Sequence, residues 1–366
     1  MSTPKALIAM SGGVDSSVAA FLSCQAGFDC IGAMMRLFDN SILPQGQESS
    51  CCSLDDAEDA RAVAHRLGFP FYVFNSKADF EEKVIQKFIR CYECGATPNP
   101  CIDCNRYLKF DHLMRKAMEL GCDYVVTGHY ARIRRDESSG RYLLYRAADL
   151  SKDQSYVLSC LTQQQLAHIL LPLGEMSKQE AREIAQAQGF INARKKDSQD
   201  ICFVPDGDYV AFMERYTGKN YQPGNFLDLS GNVVGTHRGA VSYTIGQRKG
   251  LGLAMGAPVY VCDKNMERNT VTVGPNEALF SDTLIGCDWN WFPFAELTEP
   301  LRVSAKARYN QQPQPATVHP EPDGTARVIF DEPQRALTPG QAVVLYDGDL
   351  VVGGGTIEKV IKKGEA

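Results

Sequence analysis

The chain has 366 residues, with 38 Lys and Arg against 44 Asp and Glu and a formal net charge of −6 at pH 7. Hydrophobic residues make up 44% and charged residues 22%, which is typical of a globular protein with two or three domains. Since the sequence has neither a membrane-length apolar run nor a secretory signal, we expect a cytoplasmic protein without a membrane partner. The acidic balance disfavours non-specific binding of nucleic acid but leaves room for a local basic face.

The first predicted element is a buried strand over residues 6–10, which turns at Ser11, Gly12 and Gly13 into a helix. The two glycines let the backbone approach a ligand closely, and the free N–H groups of the first helical turn favour an anion. Asp15 is suited to hold Mg²⁺ between phosphates or to cap the helix. The pattern therefore predicts a phosphate site, with an ordinary capped turn as the alternative, and it lacks the Gly-Lys-Ser/Thr of a Walker A loop.

The elements that follow alternate between strands and helices. Strands are predicted at residues 30–35, 71–74 and 124–127, helices at 54–67, 80–89 and 107–120, and a loop at 38–50. This alternation predicts an α/β domain with a parallel sheet and a ligand at the carboxyl ends of its strands. Gly128 and His129 follow the last of these strands, so we expect them at the same edge as the glycine loop.

Helical patterns end near Tyr216, and short strand-like runs separated by Gly and Pro take their place. From Leu284 onward every predicted element is a β-strand, and the spacing of the turns is typical of a small barrel or sandwich. We predict three domains: an α/β catalytic domain at 1–215, a small β-rich domain at 216–282 and a C-terminal β-barrel at 283–366.

Three of the thirteen cysteines are candidates for thiol chemistry. Cys101 and Cys104 lie in a stiff, proline-containing Cys-x-x-Cys segment just before the helix predicted from Tyr107, and a thiol near a helix N-terminus is more nucleophilic. Cys202 lies far along the chain. As an alternative, Cys91 and Cys94 with Cys101 and Cys104 are four thiolates for a zinc ion.

The loop from Ser11 to Ser16 resembles the Ser-Gly-Gly-x-Asp-Ser signature of the PP-loop ATP pyrophosphatases, which have an adenine nucleotide alpha hydrolase-like fold. Over residues 5–357 the whole chain resembles the tRNA-specific 2-thiouridylase family. The motifs that carry this resemblance are the loop itself, Asn99-Pro100-Cys101-x-x-Cys104-Asn105, Thr127-Gly128-His129-Tyr130, Lys152-Asp153-Gln154-Ser155-Tyr156, Asp200-Ile201-Cys202-Phe203, the run 242–252 and Lys306-Ala307-Arg308-Tyr309.

This resemblance implies an enzyme that replaces the C2 oxygen of the wobble uridine of tRNA with sulfur. ATP, with Mg²⁺, would adenylate that oxygen and release pyrophosphate. Sulfur from a persulfide, delivered by a sulfur-donor protein, would then displace AMP. Cys202 would receive the persulfide sulfur and Cys104 would release it, leaving a disulfide between them. A second thiol of this kind is what sulfur transfer requires.

The resemblance also implies the binding residues. Those for ATP would be Ala9, Met10, Ser11, Gly12, Gly13, Val14, Asp15, Ser16, Met35 and Gly128. Those against the flipped target base would be Asn99, Pro100 and Cys101. Those for the rest of the tRNA would be His129, Lys152, Asp153, Gln154, Arg308, Tyr309 and Gln341.

Cys101 departs from the family pattern, because many members carry Asp at this position. Three cysteines with one open position is how an iron–sulfur cluster that binds hydrosulfide is held. The residues therefore leave two routes open, persulfide relay or a cluster on Cys101, Cys104 and Cys202.

Two other functions remain as alternatives. An amidating or ligating pyrophosphatase would need the glycine loop but neither the cysteine pair nor a C-terminal barrel. A non-catalytic RNA-binding or metal-cluster protein would not need an intact Ser-Gly-Gly-Val-Asp-Ser loop.

Overall fold

A computed structural model describes residues 3–39, 42–43, 53–195 and 201–362. Most of the loop predicted at 38–50 and Asp200 of the cysteine motif lie outside these ranges. The strands are β1 (Lys5–Ala9), β2 (Asp29–Arg36), β3 (Phe71–Asn75), β4 (Tyr124–Val126), β5 (Arg132–Arg135), β6 (Tyr142–Tyr145), β7 (Ile169–Leu170), β8 (Gly224–Leu227), β9 (Val233–His237), β10 (Tyr260–Asn265), β11 (Thr270–Gly274), β12 (Phe280–Trp291), β13 (Leu301–Lys306), β14 (Gln314–Pro320), β15 (Ala326–Arg335), β16 (Ala342–Asp347) and β17 (Leu350–Ile361). The α-helices are α1 (Val14–Gln25), α2 (Leu54–Leu67), α3 (Lys77–Phe80), α4 (Gln86–Glu93), α5 (Pro100–Asp103), α6 (Leu113–Glu119), α7 (Ser155–Leu158), α8 (Gln163–Leu166), α9 (Lys178–Ala187) and α10 (Tyr209–Thr217).

The N-terminal domain is built on a parallel sheet with the strand order β3-β2-β1-β4-β7. Strand β1 lies in the middle of the sheet, and its residues Ala6, Leu7 and Ile8 are fully buried because apolar clusters cover both faces. This confirms the predicted α/β class. It also places the glycine loop after the central strand, at the carboxyl edge of the sheet.

The helix that carries Cys104 begins earlier than the sequence predicts. It starts at Pro100 rather than Tyr107 and continues through a π-helical stretch, Cys104–His112, into α6. Asn99 caps it by accepting a hydrogen bond from the Cys101 N–H, and Pro100 occupies the first helical position, where a missing N–H does no harm. The helix predicted at 80–89 likewise extends from Lys77 to Glu93. The first-turn position therefore belongs to Cys101, and Cys104 lies one turn further on.

The second half of the chain forms two β structures. Strands β8 to β11 make a four-stranded sheet in the order β10-β11-β8-β9 around an apolar core. Six antiparallel strands in the order β12-β15-β14-β13-β16-β17 close into a barrel, because β12 also pairs with β17. The predicted small β-rich domain and C-terminal barrel are confirmed as architecture.

A hairpin from the first half of the chain extends the sheet of the barrel. Strands β5 and β6 pair with each other, and β6 joins β17 through Tyr145 and Leu350. An apolar cluster that includes Phe110, Tyr156 and Val344 fills the space beside this junction. The sequence analysis did not predict this hairpin, and the first domain is consequently tied to the barrel. No helix in the described ranges is long and apolar enough to cross a membrane.

Candidate active site

The glycine loop, residues 11–13, is a compact turn held by its own hydroxyl groups. The Ser16 and Ser17 hydroxyls donate to the Gly13 carbonyl at 3.0 Å, and the Ser11 N–H donates to Ser16 Oγ at 3.2 Å. Gly12 has φ +72°, and a Cβ added there would lie 2.4 Å from the Asp56 carbonyl oxygen. Among the described residues no side chain caps the start of α1. The first-turn amides of this helix therefore face the loop without a side-chain acceptor, which is the arrangement that receives an anion.

Asp15, in the first turn of α1, is held by two side chains that come from other elements. The Lys178 ammonium lies 2.7 Å from Asp15 Oδ1 and 2.8 Å from Oδ2, and the Tyr130 hydroxyl donates to Oδ1 at 2.9 Å. Lys178 is the first residue of α9, where Ser177 and Glu180 form a capping box, and only 9% of its surface is exposed. The carboxylate is thus fixed and neutralised by a buried cation. Among the described residues, Asp15 belongs to no group of three or more His, Cys, Asp or Glu side chains that could hold a metal ion.

Two further residues of the segment 178–195 support the loop. The Asn192 amide donates to the Gly12 carbonyl and to Ser17 Oγ, both at 2.9 Å. Lys195 donates to Asp56 and Asp59 of α2, each at 2.7 Å. Sequence reasoning missed Lys178 and Asn192, because neither lies in a motif. The only sequence signal is the Ser177-x-x-Glu180 box, which marks Lys178 as a helix start.

Gly128 and His129 lie where the sequence analysis expects them, at the edge that carries the glycine loop. A Cβ on Gly128 would lie 2.6 Å from the Asp15 carbonyl carbon and 2.7 Å from the Ser16 nitrogen. The His129 Nδ1 atom is 2.8 Å from Thr127 Oγ1. Burial and the nearby charge of Lys109 lower the pKa of His129 well below its usual value, so the imidazole is neutral at pH 7.

Cys104 and Cys202 belong to the same apolar cluster although they are far apart in the sequence. Cys104 is buried, and Cys202 is partly buried against the same group of side chains, which includes Phe203 and Met35. An ion pair of 2.6 Å between Lys87 and Asp103 clamps the turn that precedes Cys104. Burial raises the pKa of the Asp103 carboxyl, and the Lys87 charge opposes this effect.

The structure does not gather the cysteines as metal ligands. Across the part of the chain that is described, no group of three or more His, Cys, Asp or Glu side chains is arranged to hold a metal ion. Cys101, Cys104 and Cys202 do not form a cluster site, and Cys91 and Cys94 do not complete a zinc site with Cys101 and Cys104.

Residues 97–101 pack against residues 338–341 of the barrel, and we call this contact the interdomain seam. The Thr97 N–H donates to the Pro339 carbonyl at 2.9 Å, and the Gln341 amide donates to the Thr97 carbonyl at 2.8 Å. Cys101 is exposed. Tyr309 is 41% exposed, and the negative charges of Asp153 and Cys101 add to burial in raising the pKa of its phenol. The seam thus holds Asn99, Cys101 and Gln341 in one region with Pro100 buried between its neighbours, and the influence of Cys101 on the pKa of the Tyr309 phenol places Tyr309 near this region.

Several of the residues predicted to contact tRNA make hydrogen bonds within the protein. The buried Asp153 carboxylate accepts hydrogen bonds from the Ala147 and Ser155 N–H groups, and Gln154 Oε1 accepts one from the Tyr130 N–H. Arg308 donates to the Ala336 carbonyl at 2.6 Å and to Thr338 Oγ1 at 2.9 Å. Lys152 follows the turn at Asp149. These hydrogen bonds fix the Asp153, Gln154 and Arg308 side chains within the fold.

Models of three protein families match the chain in succession. The tRNA methyl transferase HUP domain matches residues 4–206, the tRNA methyl transferase PRC-barrel domain matches 210–275, and the aminomethyltransferase beta-barrel domain matches 281–357. These three ranges correspond, in order, to the parallel sheet, the four-stranded sheet and the six strands of the barrel.

Curated relatives match over almost the whole chain. The tRNA-specific 2-thiouridylase MnmA of Clostridioides difficile (strain 630) is 52% identical over 355 residues, which are 97% of this chain and 98% of that protein. The protein of the same name from Carboxydothermus hydrogenoformans is 51% identical, over 97% of this chain and 98% of its own length. A third, from Heliobacterium modesticaldum, is 52% identical over 96% of this chain and 91% of its own length.

Proposed function

The chain belongs to the tRNA-specific 2-thiouridylase family and is a tRNA sulfurtransferase, and from this premise we propose the following reaction. The enzyme binds ATP with Mg²⁺ at the glycine loop and transfers AMP to the C2 oxygen of the wobble uridine of tRNA. Sulfur carried by Cys202 as a persulfide then replaces that oxygen. The partners are the tRNA and a protein that donates the sulfur.

The adenylation step is supported by the geometry of the glycine loop. In this step a bond forms between the uridine O2 atom and the α-phosphorus of ATP, the bond between the α- and β-phosphates breaks, and pyrophosphate leaves. The loop offers first-turn amides without a side-chain cap and glycines that let a polyphosphate approach. The only metal chemistry in the proposal is charge neutralisation by Mg²⁺ that arrives with ATP as part of the substrate.

The sulfur step needs two thiols. The terminal sulfur of the Cys202 persulfide attacks C2, the C2–O2 bond breaks and AMP leaves. The Cys104 thiolate then attacks Cys202 Sγ, so the sulfur–sulfur bond breaks, the terminal sulfur stays on C2, and a Cys104–Cys202 disulfide forms. A dithiol reductant returns both cysteines to thiols and closes the cycle.

The observation that carries this proposal is that one apolar cluster contains Cys104 and has Cys202 packed against it. An amidating pyrophosphatase would need the glycine loop but no such pair. A cluster-dependent route would need three ligands gathered around a metal, and the described residues hold no such group.

The interdomain seam supports tRNA binding close to these cysteines. Asn99 and Pro100 open the helix that carries Cys101 and Cys104, and the barrel residue Gln341 holds the same segment from the other side. We propose that the target base leaves its stack and lies against Asn99, Pro100 and Cys101, with Tyr309 beside it. A flipped base in this position would lie one helical turn from Cys104.

A test separates the two half-reactions in the Cys202→Ala variant. We expect sulfur incorporation, measured as 2-thiouridine by mass spectrometry of digested tRNA, to fall at least about 1,000-fold. Pyrophosphate release in the presence of tRNA should stay within about threefold of the wild type, because the glycine loop is intact.

Cys262→Ala is the matched control. This cysteine is buried in the middle domain, away from both Cys104 and Cys202, and its loss should leave both half-reactions unchanged. Normal thiolation by Cys202→Ala would contradict the persulfide step. If the wild type released no pyrophosphate in the presence of ATP and cognate tRNA, this would contradict adenylation.

A further inference from the structure

Lys178 is a buried cation that reaches into the glycine loop from outside every sequence motif. Its ammonium bonds to both oxygens of Asp15, at 2.7 and 2.8 Å, and lies 6.0 Å from the centre of the Tyr130 ring. Its side chain is 11% exposed, against 31% for Asp15. Holding a lysine in so little water costs free energy unless its charge is matched, and Asp15 supplies that match.

The place of this pair in the loop gives it a significance beyond stability. Asp15 lies in the first turn of α1, where the helix would receive the phosphates of ATP. A carboxylate there repels a triphosphate, and this repulsion is stronger in a partly buried site than in water. An unpaired Asp15 would therefore oppose the binding that the rest of the loop favours.

We propose that Lys178 is a positioning residue for ATP, which acts by neutralising and orienting Asp15 so that the glycine loop accepts a polyphosphate. This inference rests on the proposed use of ATP by the same loop. Tyr130 completes the arrangement, because its hydroxyl donates to Asp15 Oδ1, and Gly128, two residues earlier in the chain, packs on the backbone of Asp15 and Ser16. Asp15 is thereby fixed by groups from the segment that follows β4 and from α9.

The segment that carries Lys178 also leads toward the sulfur-carrying cysteine. Asn192 holds the Gly12 carbonyl, Lys195 holds Asp56 beside the loop, and Cys202 follows a few residues later. The same stretch of chain thus contacts the loop at its acidic residue, at its glycine backbone and at the helix behind it. Lys178 is the member whose charge decides whether the loop tolerates phosphate.

The test measures binding rather than turnover, with the full-length protein, ATP and inorganic pyrophosphate as probes in titration calorimetry. Lys178→Met keeps the length of the side chain but removes its charge, and we expect ATP to bind about 30-fold more weakly. In the double variant Asp15→Asn, Lys178→Met the repulsion is gone, so affinity should return to within about fivefold of the wild type. A merely structural lysine would show no such recovery.

Two more variants keep the test decisive if Lys178→Met folds poorly. Lys178→Arg keeps the charge and should bind ATP within about fivefold of the wild type. Asp15→Asn alone should bind ATP at least as tightly as the wild type, because it removes the repulsion and leaves the cation. Lys264→Met, which removes a buried lysine from β10 in the middle domain, is the matched control and should leave ATP affinity unchanged.

The outcomes separate this inference from the proposed function. If Lys178→Met binds ATP normally, or if the double variant stays as weak as Lys178→Met, Lys178 does not act through Asp15 and the inference is overturned. If Asp15→Asn alone loses ATP, the inference is overturned too. If the wild type itself binds neither ATP nor pyrophosphate, the proposed use of ATP by the glycine loop is contradicted, and with it the inference that rests on it.

Discussion

The glycine loop and the interdomain seam are the two halves of the candidate active site, and they are built in opposite ways. The loop is one short stretch of sequence between β1 and α1, and most of its hydrogen bonds join residues that lie within five positions of one another. The seam joins residues 97–101 to residues 338–341, and its hydrogen bonds bridge the first domain and the barrel.

In the proposed reaction the loop carries the ATP chemistry and the seam carries the specificity for tRNA. The turn of the loop is set by contacts between residues that are close in the sequence, and Lys178, Tyr130 and Asn192 add support from distant elements. The interdomain seam, by contrast, forms only when the first domain and the barrel pack together in one relative orientation. We therefore expect changes in the loop to affect ATP, and changes in the seam to affect tRNA while leaving ATP binding intact.

Of the variants that test this difference between loop and seam, Gly128→Ala is expected to have the largest effect on ATP affinity. The added Cβ would lie 2.6 Å from the Asp15 carbonyl carbon and 2.7 Å from the Ser16 nitrogen, and backbone atoms cannot move aside cheaply. We expect the glycine loop to shift and ATP affinity to fall at least about 100-fold by calorimetry.

Gly140→Ala is the control for this variant. Gly140 lies in the turn of the β5–β6 hairpin with φ +70° and nothing near its Cβ position. The substitution should cost about 1 kcal/mol of stability without affecting ATP affinity. Equal ATP affinity in the two variants would contradict a tight backbone contact behind the loop.

A smaller effect, confined to the seam, is predicted for Gln341→Ala. The variant loses the 2.8 Å hydrogen bond to the Thr97 carbonyl and loosens the segment that leads to Cys101. We expect kcat/KM for tRNA thiolation to fall about tenfold, with ATP affinity unchanged. Gln312→Ala, an exposed glutamine of the same domain, should leave both values at the wild-type level. Equal losses for tRNA and ATP in Gln341→Ala would mean that the two regions are not separate.

The smallest effect on activity is predicted for Lys264→Met, which lies outside both regions. The Lys264 ammonium is buried without a hydrogen-bond partner among the described residues, and burial lowers its pKa to about 8 from the usual 10.5. Below pH 8 the amine is protonated in both states, but the folded state binds this proton less tightly than the unfolded chain. The buried charge therefore lowers the free energy of unfolding by about 3 kcal/mol. As pH rises from 8 to 10.5 that cost disappears.

The measurement is thermal unfolding of both proteins across this pH range. Lys264→Met should be more stable than the wild type at pH 7, and the difference should close as pH approaches 10.5. Activity should stay unchanged. A wild type that is the more stable protein at pH 7 would contradict an unpaired buried ammonium.

The sequence predicted those features that depend on neighbouring residues. The helix at 54–67 matches α2, because its apolar residues repeat at helical spacing and Ser53 with Asp56 forms a capping box. The glycine loop was predicted for the same reason, since strand, turn and helix follow one another directly. The start of the Cys104 helix was predicted wrongly at Tyr107, because the cap at Asn99 and the proline at the first position outweigh the apolar periodicity that begins later.

Features that depend on distant partners were not visible in the sequence. Nothing near Lys178 indicates that Asp15 is its partner, because ion pairs between distant residues leave no periodic signal. The β5–β6 hairpin is short, and its tie to the barrel rests on Tyr145 meeting Leu350. The tRNA residues were proposed from the family resemblance, and their roles remain predictions even where the structure places Asn99, Cys101 and Gln341 in one region.

The β5–β6 hairpin has a consequence for how the protein is made. A ribosome completes β6 long before it reaches β17, and at 5–20 residues per second this interval lasts on the order of 10–40 seconds. During that time the first domain can fold its sheet and its glycine loop, while the edge of β6 and the apolar side chains beside it stay uncovered. The nascent chain would then be able to bind nucleotide before it can recognise RNA. Only a completed chain can assemble the interdomain seam, so on the proposed assignment truncated products would bind ATP but would not thiolate tRNA.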